Sequence, residues 1–231
     1  MAAALGWGAL AASSLVLGTL LGLARRWPER VVGLVLAFGA GALISAVAFD
    51  LVEEAGAIGS REAVGVGLAT GALTYYVASR AVERGGGDDA GPALALGAFL
   101  DGIPEQMVLG LGLAAGDGVS VGLLAAIFVS NLPEAIGSAT EMRAAGKRPA
   151  AIRRLWILIA VGCTLATLLG YGLADMTGGE LQAAIDGFAA GALLVLLIDS
   201  MIPEARAKSG RPAGLVTVLG FAVAAGLSGV W

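Results

Sequence analysis

No histidine occurs among the 231 residues, cysteine occurs once, and only 14% of the side chains are charged. Each scarcity removes a class of chemistry. Without imidazole, the "GLSG" stretch at Gly226–Gly229 echoes the Gly-x-Ser-x pattern of intramembrane serine proteases but has no histidine base to activate its serine. Cys163, being alone, forms neither an intramolecular disulfide nor a cysteine-clustered metal site. Asp101 and Asp199 lack the Gly-x-Gly-Asp signature of an intramembrane aspartic dyad. No phosphate-binding loop or soluble ATPase domain is present to drive a pump. The expectation is a protein with no enzymatic activity, no catalytic cofactor and no nucleic-acid partner.

What is present is hydrophobic: 58% of the residues, with a mean hydropathy of +0.87. That is the composition of a membrane protein. Apolar windows of about 20 residues, enough to cross a bilayer core, fall at about 4–24, 31–52, 63–82, 92–114, 119–140, 154–174, 182–203 and 213–231. A very apolar soluble helical bundle would instead carry one charged face on each helix. The 37 glycines follow no short period and suit close helix packing in lipid. The predicted fold is an all-α integral membrane protein of eight transmembrane helices, with the lipid bilayer as its surroundings.

The basic residues orient it. With the connections assigned alternately to two sides, Arg25, Arg26, Arg30, Arg80 and Arg84, the Arg143–Arg154 cluster, and Arg206, Lys208 and Arg211 share one side. Arg61 alone faces the other. By the positive-inside rule the crowded side is cytoplasmic, which puts both termini outside a plasma (inner) membrane. The first window lacks a basic leader and a small-residue cleavage site, so it reads as a retained span.

The chain also repeats itself. Phe38–Ala55, "FGAGALISAVAFDLVEEA", aligns without a gap on Phe188–Ala205, "FAAGALLVLLIDSMIPEA". These are helices 2 and 7, an odd number of crossings apart, so the copies run in opposite directions. The expected plan is a single domain, 1–231, with repeat 1 at about 1–84, a central helix pair at about 92–142 and repeat 2 at about 152–231. This 3+2+3 inverted repeat is an arrangement used by secondary transporters.

The central pair carries "LDGIPE" at Leu100–Glu105 and "SNLPEA" at Ser130–Ala135. Pro104 and Pro133 cannot donate to the carbonyls of Leu100 and Val129, so each helix is expected to kink and release a backbone oxygen. Asp101 and Glu105 share one face of helix 4; Ser130, Glu134 and Ser138 share one of helix 5, with Asn131 beside them. A carboxylate at membrane depth costs on the order of 3 kcal/mol and commonly marks an ion or proton path. Several oxygen ligands converging from two helices suit a divalent cation; the bland alternative is polar glue between helices, with the acids protonated. At the mouths, Asp50, Glu53 and Glu54 close helix 2, while Asp199, Ser200 and Glu204 close helix 7. Acids there oppose the helix dipole, so helix stability does not explain them: either they attract or pass along a cation at each entrance, or they are the solvated ends of long helices.

Eight helices, an inverted repeat and paired Pro-Glu motifs on helices 4 and 5 resemble the ZIP family of divalent-metal transporters. In that family helix 4 reads His-Asn-x-Pro-Glu-Gly, and a polar or histidine residue on helix 5 precedes a second Glu by four. The resemblance implies that Asp101 stands in the histidine position, Gly102 in that of the Asn, and that Glu105 matches the Glu. Ser130 takes the polar position on helix 5, Asn131 follows it, and Glu134 matches the second Glu. The departures are the absence of histidine, a short "ERGGGDDAGP" connection before helix 4, Gly102 in place of a ligand, and Gln106 in place of the motif Gly. The resemblance implies a divergent, histidine-free transporter of zinc, manganese or iron; homodimerisation is left open. The alternative is a membrane metal sensor or assembly subunit that kept the fold without transport.

Overall fold

The structure is a computed structural model that describes residues 1–85, 90–115, 120–174 and 178–228. Among the described residues the chain is helical and contains no strand. Its eight continuous helices are α1 (Ala2–Ala24), α2 (Glu29–Ile58), α3 (Arg61–Gly85), α4 (Ala90–Ala115), α5 (Val121–Ala144), α6 (Pro149–Ala174), α7 (Gly179–Ser209) and α8 (Pro212–Leu227). Each falls on one of the eight hydrophobic windows. Turn chemistry separates them: Pro149 and Pro212 open α6 and α8, where a missing amide hydrogen is harmless. Gly146 and Gly210 take positive φ of 82° and 71°, which reverse the chain after α5 and α7.

Two helix ends differ from the sequence reading. α2 and α7 run past the expected limits near 52 and 203 to Ile58 and Ser209. The helices continue, through Gly56 in α2 and Pro203 in α7, until Gly59 and Gly210 stop them. Glu53, Glu54 and Asp199 therefore lie along helices rather than at their ends. Both helices also widen into π-helical turns, over Ala46–Glu53 in α2 and Leu197–Met201 in α7.

Packing is pairwise and close. α3 lies on α7, α8 on α2, α4 on α6, and α1 on both α5 and α6, while α2 also touches α5 and α7. A methyl group added at Gly71 would fall well inside contact distance of the Phe188 carbonyl oxygen, and one at Gly220 would meet the Phe38 oxygen in the same way. In these pairs backbone touches backbone, the contact that small residues permit.

Apolar side chains line the outside as well as the core. Leu158, Val66 and Leu215 are 68%, 64% and 79% exposed, on α6, α3 and α8. A soluble bundle would turn charge outward at such places, so this surface fits lipid. Among the described residues five helices (α1, α2, α5, α6 and α7) are long and apolar enough to cross a membrane. The chain is a multi-pass helical membrane protein.

Candidate functional site

α4 and α5 run through their internal prolines, Pro104 and Pro133, and bring the two Pro-Glu motifs together. The Asn131 amide donates from Nδ2 to Glu105 Oε2 at 3.3 Å, linking α5 to α4. Both residues are only 2% exposed. A carboxylate buried so deeply needs polar partners, and a charge-assisted bond from an amide is one. Glu134, half-buried, lies one turn further along α5. Glu105 and Glu134 are both within electrostatic range of Cys163 on α6.

Asp101 belongs to α4, and its side chain lies outside the described residues. Ser130 is buried, with its backbone against Gly39 of α2 and its hydroxyl donating to the Ile127 carbonyl at 3.1 Å. Ser138 is buried, and its hydroxyl has no hydrogen-bond partner among the described residues. Among the described residues no three His, Cys, Asp or Glu side chains gather closely enough to hold a metal ion. The cluster contains two glutamates and an amide.

The two departures at the helix-4 motif have local physical reasons. A Cβ on Gly102 would stand 2.6 Å from Cys163 Sγ, so the thiol fills the room that a side chain at 102 would need. Gln106 is fully buried and turns away from the carboxylates; its Oε1 accepts a hydrogen bond from Thr167 Oγ1 of α6 at 2.5 Å. Its Nε2 has no hydrogen-bond partner among the described residues. Gln106 thus joins α4 to α6, while Glu105, one residue earlier, faces α5.

The mouth residues are spread over both ends. Asp50, in the widened turn of α2, accepts hydrogen bonds from Ser120 at 3.3 Å and Ser228 at 3.5 Å, joining α2 to the start of α5 and the end of α8. Ser120 also caps α5, accepting from the Leu123 amide. Glu53 and Glu54 are exposed, and Glu54 lies within electrostatic range of the buried Asp186 of α7. Asp199 and Ser200 are exposed on α7. Glu204 pairs with Lys208 one turn on, at 2.6 Å.

Four contributors escaped the sequence reading. Asp186 is an isolated acid inside an apolar window and was detectable by that sign alone. Cys163, Thr167 and Ser120 act through partners on other helices, for which spacing along one helix gives no signal.

The donor set of carboxylates, an amide and hydroxyls suits hard to borderline cations, with zinc also accepting carboxylate. No family model matches the chain. Over 204 residues it is 27% identical to a protein of Arabidopsis thaliana named "Putative zinc transporter", a similarity that takes in 83% of this chain and 32% of the plant protein. The chain thus spans about a third of that relative's length.

Proposed function

We propose that the protein carries divalent metal cations of the zinc, manganese or iron class across its membrane. The route passes through an oxygen-rich site between α4 and α5 formed by Asp101, Glu105, Ser130, Asn131 and Glu134. The observation that carries this reading is the buried Asn131–Glu105 bond between the two proline-containing helices. An arriving cation would draw on the carboxylates of Glu105 and Glu134 and on the Asn131 carbonyl oxygen. No step requires a catalytic group, so the protein acts as a transporter and not as an enzyme. The likeness to a plant protein named as a zinc transporter agrees with the substrate class.

In this reading the chain is a histidine-free relative of the ZIP transporters, built as a 3+2+3 inverted repeat with both termini outside the plasma membrane. Three features support the repeat. The widened turns of α2 and α7 fall on aligned stretches. α3 packs on α7 as α8 packs on α2. Gly191 meets the Leu68 oxygen and Ala72 nitrogen as Gly41 meets those of Thr217 and Phe221. A π turn inserts a residue and is frequent at functional sites, so each such turn supplies a place for one half to move against the other.

Uptake of radioactive zinc and manganese into proteoliposomes tests the proposal. The wild-type chain should load metal, whereas Glu105→Ala or Glu134→Ala should abolish loading while leaving folded protein in the vesicles. Undiminished flux in both variants would remove this site from the route. Metal binding without flux in the wild-type chain would favour a sensor.

A further inference from the structure

The arginine-rich side holds a cavity unrelated to the carboxylate site. α1 and α5 lie side by side, with Gly18 against the Leu132 carbonyl and Gly22 against that of Ile136. They end together, at Ala24 and Ala144. Between these ends is a cavity of about 690 Å³ lined by Gly22, Thr140 and three arginines, Arg25, Arg26 and Arg143.

Helix C-termini attract cations, and Arg143 serves that need by donating from Nη1 to the Leu23 carbonyl. This uses one of the five N–H donors on its guanidinium. Arg25 lies over the Trp27 ring at 4.4 Å, and the indole donates to the Leu21 carbonyl at 3.1 Å. Arg26 makes no hydrogen bond or ion pair with another described residue. Among the described residues no carboxylate pairs with any of the three. Three cations therefore share one concavity, with most of their donors unspent. An anion with several oxygens would lower their mutual repulsion and take up those donors.

We propose that this cavity binds a phosphate group, the headgroup of an anionic phospholipid. Guanidinium matches phosphate through paired N–H···O bonds. Trp27 beside Arg25 is the kind of amphipathic ring that settles at headgroup depth, and basic pockets between spans receive anionic headgroups. Free phosphate offers the same oxygens, so the test separates the two sources.

Purified full-length protein in neutral detergent is titrated with dioctanoyl phosphatidylglycerol, dioctanoyl phosphatidylcholine and inorganic phosphate, and binding is read by native mass spectrometry and by the shift in thermal unfolding. Phosphatidylglycerol should bind in preference to phosphatidylcholine. Arg26→Gln, which removes no hydrogen bond or ion pair among the described residues, should weaken it about fivefold, and Arg26→Gln with Arg143→Gln about 25-fold. Arg153→Gln with Arg154→Gln, on the same side but outside the cavity, should change it by less than about twofold. Equal loss in that control, or full binding by Arg26→Gln, would overturn the site. Displacement of the lipid by inorganic phosphate, with the same dependence on Arg26, would keep a phosphate site and overturn the lipid as its source.

Discussion

The fit between Gly102 and Cys163 yields a quantitative prediction about the candidate site. A methyl group at Gly102 would stand 2.6 Å from Sγ, about 1 Å inside ordinary contact. Cys163 is fully buried, and the Met107 carbonyl is packed against Gly170 further along the same two helices, so parting α4 and α6 to make room would break that contact. Overpacking of this kind costs about 1–3 kcal/mol, against which replacing a helical glycine by alanine recovers about 0.8–1 kcal/mol. Gly102→Ala should therefore destabilise the protein by about 1 kcal/mol net. Cys163→Ala alone loses about 1 kcal/mol of packing. In the double variant the new methyl enters the space vacated by sulfur, so the two losses should cancel in part, with a coupling of about 1 kcal/mol or more. Thermal unfolding of the four proteins in one detergent measures the cycle, and radiometal flux in the same preparations shows whether the site follows. Gly102→Asn, which restores the side chain of the ZIP-like motif, should keep flux only when Cys163→Ala accompanies it. Strict additivity of the two substitutions would refute the claim that the thiol occupies the missing side chain's place.

The backbone contacts between helices predict that Gly71→Ala and Gly220→Ala each lose more than about 3 kcal/mol or fail to fold. Gly65→Ala, on the same helix as Gly71 but with open space around it, should be neutral or slightly stabilising in the same unfolding assay. Asn131→Ala removes a donor from the buried Glu105 carboxylate and should destabilise by about 1–3 kcal/mol, with metal uptake at subsaturating ion falling at least about tenfold. Thr167→Val takes away the hydroxyl bonded to Gln106 and should cost a similar 1–3 kcal/mol or so, while adding Gln106→Leu should restore most of it, because two apolar partners leave nothing unsatisfied. Lys208→Ala breaks a partly exposed i,i+4 pair and should change stability by less than about 1 kcal/mol; a larger loss would show that the Lys208 side chain, whose Nζ lies beside Gly137 of α5, also holds α7 to α5.

The eight helices were readable because the signal for a span is crude and strong: about 20 apolar residues bounded by arginine, glycine or proline. Helix ends were less readable. Glu53–Ile58 and Glu204–Ser209 are helical despite their charges, since a helix leaving the bilayer continues wherever no residue stops it. The π turns were invisible for a different reason. An extra residue in a turn is decided by how the helix fits its neighbours on either side, and "AVAFDLVE" and "LIDSM" have no composition that sets them apart from ordinary helix.

At the site, Glu105 and Asn131 were readable because a polar residue in an apolar run needs a partner, and the second motif offered one. Their meeting needed only that helices 4 and 5 be neighbours. Gly102, Cys163 and Gln106 depend on something finer, the rotation of α4 about its own axis. Successive residues on a helix point about 100° apart, so once Glu105 faces Asn131 on α5, Gln106 is carried to another side. There it meets Thr167, and one turn earlier Gly102 meets Cys163. The whole rotation is thus fixed by three contacts, one to α5 and two to α6. This accounts for a glutamine where the resembling motif has glycine: it is a contact with α6, made by the residue next to the carboxylate that needs its direction fixed.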